Sequence, residues 1–137
     1  MGSVFRLADA FGCEEILFLG TTPKLNSRRL NGTSRATHKT VPYRFCEDLE
    51  TTIQNLKTHG YQIIGLEITN ESVPIQQQQF KNKVVLVIGS ENYGIQPEVL
   101  KHLDHCVHIP MFGNNSSMNV ASATAIGLYE VTNKIEN

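Results

Sequence analysis

The sequence predicts an α/β fold, a parallel sheet with helices on both faces. Two observations predict it. Short, almost wholly apolar segments recur along the chain as "EEILFLG", "YQIIGLEI", "KVVLVIG" and "CVHIPM", and a strand with no polar side must be buried on both faces. Segments with helical spacing lie between them, and strands alternating with helices form a parallel sheet. The 137 residues suit one domain with a real core.

The elements follow in order. Val4, Leu7, Ala8 and Phe11 recur at i, i+3, i+4 and i+7, so "SVFRLADAF" reads as a helix with Gly12 as its stop. "EEILFLG" is a short buried strand ending at Gly20. A long loop rich in Ser, Thr and Asn comes next, and such loops in compact domains are usually functional or disordered. Leu49, Ile53 and Leu56 mark a helix from about Glu47 to His59, stopped by Gly60. "YQIIGLEI" is a strand and "ESVPIQQQQF" a polar connector. "KVVLVIG" is the most apolar strand, dominated by β-branched residues. Pro97 opens the short helix "PEVLKHL", where a first turn tolerates it. "CVHIPM" is the last strand. The closing helix begins Asn119, Ala121, Ser122, Ala123, Thr124 and Ala125, almost all small. An ordinary surface helix buries larger residues, so this one is expected to press closely on a neighbour.

Composition excludes several classes. Hydrophobic residues are 40% and charged residues 18%, ordinary for a globular protein. No run of roughly 18 apolar residues exists, and the N-terminus lacks the basic-then-apolar order of a signal peptide. Cys13, Cys46 and Cys106 form no close pair, which suits free thiols in a cytoplasmic protein. Net charge is −1, but Lys24 to Arg44 holds six of the twelve basic residues and no acid. A local basic loop suits phosphate contacts, and equally a solvated loop.

Three stretches could carry chemistry. In "VIGSENYG", Gly89 and Gly94 allow close backbone approach and Glu91 sits past a strand end; a turn with a solvated Glu explains it as well. It has no phosphate-loop lysine and no dinucleotide fingerprint. In "IPMFGNNSSMN", Ser116 or Ser117 can cap the following helix. Capping does not explain Asn114, Asn115, Ser117 and Asn119 together, and their polar groups could hold a ligand. Arg6 reads first as a surface arginine able to pair with Asp9. His102, His105 and His108 recur every three residues but cross from helix to strand, so no metal is expected.

"GSVFRLADAFG", "VVLVIGSENYG" and "IPMFGNNSSMNVASATAI" resemble, in order, the three motifs of the SpoU (TrmH-like) RNA ribose 2′-O-methyltransferases, of the SPOUT class of S-adenosylmethionine-dependent enzymes. The match runs from Gly2 to about Val131, and "TSRATHKTVPY" resembles a loop between the first two motifs. The resemblance implies a C-terminal deep trefoil knot, with the small-residue helix packed on the knotted strands and a second subunit. It implies catalytic roles for Arg6, Glu91 and Asn119. It places Leu66, Gly89, Ile109, Met111, Ser117 and Met118 around S-adenosylmethionine, Met118 standing where Leu is common. Arg28, Arg29, Arg35 and Lys39 would contact the RNA. The expected enzyme is a cytoplasmic homodimer with its active site at the interface, acting on tRNA or rRNA without metal or membrane. The family's motif-1 asparagine would stand six residues before Arg6, ahead of Met1. The chain is therefore expected to be a single domain, 1–137, lacking that asparagine and the usual first strand. The alternative is a catalytically weak relative that binds RNA or S-adenosylmethionine. A third reading, an unrelated doubly wound protein binding a phosphate nucleotide, lacks its phosphate loop.

Overall fold

The computed structural model describes residues 2–19, 41–90, 93–114 and 118–135. They form two compact units, Met1–Thr52 and Ile53–Asn137.

In the first unit, helix α1 (Gly2–Ala10) buries Phe5 and Ala8 and leaves Arg6 and Asp9 exposed. It stops as predicted at Gly12, whose φ is +69°. Cys13 N–H reaches back to Ala8 O at 2.8 Å and Gly12 N–H to Asp9 O at 3.2 Å, the Schellman arrangement that only a left-handed residue permits cheaply. Strand β1 (Ile16–Phe18) pairs in parallel with β2 (Tyr43–Phe45). The strand foreseen to Gly20 thus ends at Phe18, half-buried rather than buried. β2 overlaps the end of the basic stretch Lys24 to Arg44 and runs one residue past it. Tyr43 and Phe45 turn inward, while Arg44 turns out to bond Glu15 at 3.0 Å, and three residues are too few for that alternation to stand out. The core is aromatic: Phe5 meets Tyr43 edge-on at 5.3 Å, and Phe18 stacks on Phe45 at 5.2 Å.

Helix α2 (Leu49–Thr58) carries the division between the units. Asp48, just before it, accepts from the Thr51 hydroxyl at 2.9 Å and from Thr51 N–H at 3.4 Å. These bonds favour the charged form and hold the Asp48 carboxyl below its ordinary value. The helix ends as α1 does, at a glycine: Gly60 has φ +88°, and Tyr61 N–H reaches Leu56 O at 3.0 Å.

The second unit holds strands β3 (Gln62–Leu66), β4 (Val73–Pro74), β5 (Val84–Ile88) and β6 (His105–His108). All pairings are parallel, in the order β4-β6-β3-β5. β4 lies in the segment taken for a polar connector; Pro74 is tolerated because the strand is at an edge. Ile64, Ile75 and Val107 form the core, with Leu66, Leu86 and Ile109 packed on it.

Both faces of this sheet are covered. On one lies helix α4 (Val120–Ile135). A Cβ added at Gly127 would stand 3.1 Å from Leu86 and 3.2 Å from Leu66, so the small residue sets how closely the helix seats. On the other, Gly65 has no room for a Cβ against Leu103 and Ile95, which flank the short helix α3 (Pro97–Leu100). Lys134 locks the far end of α4: its Nζ donates to the carbonyls of Gln76 (2.6 Å) and Gln78 (2.9 Å) and lies 5.5 Å from the Phe80 ring centroid.

Gly127→Val is expected to cost about 1–3 kcal/mol in denaturant unfolding, because added bulk must push α4 off the sheet. Asp48→Ala is expected to lower stability at neutral pH. A depressed carboxyl pKa stabilises above the unfolded value and loses that stabilisation as pH falls, so the two proteins should converge as pH drops below roughly 3.9.

Candidate functional site

Because β3, β5 and β6 run parallel, the segments leaving their carboxyl ends share one edge, where ligands bind in such sheets. Those segments and the start of α4 bound an open cleft of about 220 Å³. The segment after β5 folds back on itself. Ser90 and Gly94 exchange backbone hydrogen bonds at 3.2 and 3.0 Å, and Ser90 Oγ accepts from Tyr93 N–H at 3.1 Å. The turn is possible because Gly89 lies so close to the backbone of Gly94 and Ile95 that no Cβ would fit. Gly94 has φ +66° and is packed against the Glu67 carboxylate. Glu67, just past β3, accepts from Ile95 N–H at 2.8 Å through Oε2 and so ties the turn to its neighbour strand. On β6, the Nδ1 of His108 hydrogen-bonds Ser72 Oγ at 2.9 Å. Burial pushes the Cys106 thiol up, with the negative charges of Glu67 and Glu71 adding to the shift against a hydrogen bond from Thr69, so this thiol stays protonated.

Leu66, Gly89, Ile109, Met111 and Met118, singled out from the sequence, all line this cleft. Ser117 and Glu91 lie outside the described residues, as do Arg28, Arg29, Arg35 and Lys39. Arg6 is exposed on α1, in the first unit. Asn119 is the cap of α4: its Oδ1 accepts from Ala121 N–H at 2.8 Å and Ser122 N–H at 3.2 Å. That corrects the expectation of a serine cap. Among the described residues, no group of three His, Cys, Asp or Glu side chains could hold a metal ion.

Glu67 and His108 were not foreseen as site residues, although both line the cleft. The signal for Glu67 was an acid directly after an apolar strand; for His108, a polar residue at a strand end otherwise apolar. Among the described lining residues Glu67 is the one carboxylate, and none is Lys or Arg. Apolar walls, close backbone and a single negative charge suit a ligand with a flat apolar part and a cationic part, and oppose a polyphosphate. A second cleft of about 320 Å³ opens at the amino ends of the strands, lined by Lys57, Tyr61, Gln62, Lys81, Asp104 and His105. Its carboxylate is already engaged, by Ile63 N–H at 2.7 Å and Lys57 at 3.6 Å.

Fold and cleft therefore define a parallel α/β protein with an open cleft at the carboxyl ends of its strands. Comparison with known proteins is specific: the SpoU rRNA Methylase family pattern matches residues 1–129, and the chain belongs to that family. It is 32% identical over 140 residues to a tRNA (guanosine(18)-2′-O)-methyltransferase of Aquifex aeolicus, covering 98% of this chain and 63% of that one. It is 30% identical to the 23S rRNA (guanosine-2′-O-)-methyltransferase RlmB of Acinetobacter baylyi, covering 95% of this chain and 53% of the relative. The chain thus spans less than two thirds of either relative. The crystal structure of the A. aeolicus TrmH/SpoU tRNA modifying enzyme superposes with a TM-score of 0.84 at 30% identity, over 98% of this chain and 68% of that one. An AdoMet-bound rRNA methyltransferase from Sinorhizobium meliloti superposes with a TM-score of 0.85 at 26% identity, over 96% and 50%.

Asn119→Ala is expected to cost about 1 kcal/mol of stability in denaturant titration, the usual worth of a helix cap, whereas Asn119→Asp keeps the acceptor and should hold stability.

Proposed function

We propose that this chain moves a methyl group from S-adenosylmethionine to a ribose 2′-hydroxyl of tRNA or rRNA. The observation that carries this is the carboxyl-end cleft, in a chain of this family. Its residues fit the cofactor. Gly89 brings bare backbone to the cleft wall, Leu66, Ile88 and Ile109 offer apolar wall to an adenine, and Glu67 offers negative charge to a cation. When bound, the sulfonium supplies an electrophilic methyl group. The ribose hydroxyl would give its proton to the adjoining RNA phosphate as its oxygen takes the methyl carbon and the carbon–sulfur bond breaks to leave a neutral thioether. Arg6 cannot ordinarily take that proton, since guanidinium keeps its own. We assign it to positioning the hydroxyl or adjoining phosphate, with Glu91 organising the polar site, Asn119 near the transferred methyl, and Ser117 and Met118 at the cofactor. Arg28, Arg29, Arg35 and Lys39 would hold RNA phosphates.

The finer architecture belongs to the same proposal. The family match to residues 1–129 supports one methyltransferase domain across both units. β6, last in sequence, lies between β3 and β4, which suits a knotted C-terminal segment. Ile126 and Tyr129 stand exposed on α4, with Tyr93 and Phe112 exposed nearby in sequence to the cleft segments; a second subunit would cover such apolar surface. Half-buried free thiols suit the cytoplasm, and among the described residues no helix is long and apolar enough to cross a membrane. The commitment of Asn119 Oδ1 to capping favours, as a second reading, a relative that binds cofactor or RNA with weak catalysis.

Methyl transfer from labelled S-adenosylmethionine to tRNA and rRNA, followed by alkaline hydrolysis, tests the proposal. A 2′-O-methyl group blocks cleavage, so label should appear in alkali-resistant dinucleotides; label in mononucleotides alone would refute it. Arg6→Ala should lower kcat by about 100-fold or more with S-adenosylhomocysteine affinity unchanged. Cofactor binding without transfer would select the second reading.

A further inference from the structure

We propose that Glu67 is the counter-charge that lets this cleft distinguish the cationic cofactor from its neutral product, resting on the methyltransferase reading above. Four observations carry it. Glu67 is the single carboxylate among the described residues lining the cleft, and no Lys or Arg there opposes it. His108, the other titratable group on that lining, is engaged with Ser72. The carboxylate is anchored rather than waving in solvent: Oε2 accepts from Ile95 N–H at 2.8 Å, and Gly94 packs against it so closely that no Cβ fits between them. Its field is also felt nearby, since it contributes to the upward shift of the Cys106 thiol.

An anchored carboxylate pays little reorganisation when a cation arrives. S-adenosylmethionine carries a sulfonium; S-adenosylhomocysteine, left after methyl transfer, carries a neutral thioether of nearly the same shape. The two differ in one unit charge. A fixed negative charge at the cleft wall therefore favours the substrate form and eases release of the product. Glu67 acts here as a binding and positioning residue: its Oε2 ties Ile95 to the end of β3, and its charge ranks the two ligands.

Calorimetric titration of both ligands into the wild type and Glu67→Gln separates these roles. The glutamine carbonyl can still accept from Ile95 N–H, so the turn should hold and S-adenosylhomocysteine affinity should stay unchanged. The preference for S-adenosylmethionine over S-adenosylhomocysteine should fall by on the order of tenfold, the effect of one partly solvent-shielded charge pair. Equal loss of affinity for both ligands, or an unchanged ratio, overturns the proposal. The wild type alone provides a further test should the variant misfold. Sinefungin, with an ammonium in place of the sulfonium, should bind more tightly than S-adenosylhomocysteine, and equal affinity overturns the proposal. Failure of the folded wild type to bind any of the three overturns the methyltransferase reading, and this proposal with it.

Discussion

The second unit depends on close approach between elements at glycines, where an added Cβ would meet its neighbours at or inside van der Waals distance. Gly89 lies against the backbone of Gly94 and Ile95, Gly94 against Glu67, and Gly127 against Leu66 and Leu86. Each contact exchanges side-chain volume for a shorter distance between elements. The first two fold the segment after β5 back over its own strand and leave a cleft instead of a packed strand end. The third seats α4 so that its first residues, Val120 and Ala123, become a wall of that cleft. The smallness of this helix thus goes with two placements: Gly127 lies close against the sheet, and the opening turn borders the cleft.

Polar side chains then stitch the irregular segments to this frame. Gln62 is buried, yet its amide oxygen accepts from Lys81 N–H at 2.9 Å and its nitrogen reaches Gln79 O at 3.4 Å. Lys134 gathers carbonyls of the 3₁₀ turn Ile75–Gln77 and of Gln78. The run Gln76–Gln79 is therefore held to the frame from two sides, by Lys134 and by the buried Gln62, whose amide is satisfied with hydrogen bonds. Glu67 belongs to this set, and among the described residues lining the cleft it is the one carboxylate. Structural tie and ligand chemistry meet in that residue.

Much of this was legible in the sequence because it rests on local patterns. The glycine stops of α1 and α2, the apolar strands β3 and β5, and the closing helix all follow from spacing and from the left-handed freedom of glycine. The two short strands were not legible. β2 has three residues, one of them an exposed arginine, and β4 has two, one of them proline; neither offers enough alternation to register. Leu66, Gly89, Ile109, Met111 and Met118 meet at one cleft, which motif resemblance anticipated. Glu67 and His108 escaped because their importance comes from partners 28 and 36 residues away in sequence. The helix cap was misplaced because Ser116, Ser117 and Asn119 are all side chains able to cap a helix, and backbone geometry chooses among them.

The carboxyl-end cleft is the cofactor site we propose. Backbone amide chemical shifts of the protein, followed during titration with S-adenosylhomocysteine, test that most directly. Saturable shifts should concentrate at Leu66–Ile68, Ile88–Ser90, His108–Met111 and Met118–Ala123. Shifts centred instead on Lys57, Tyr61, Lys81 and His105, at the opposite ends of the same strands, would contradict it.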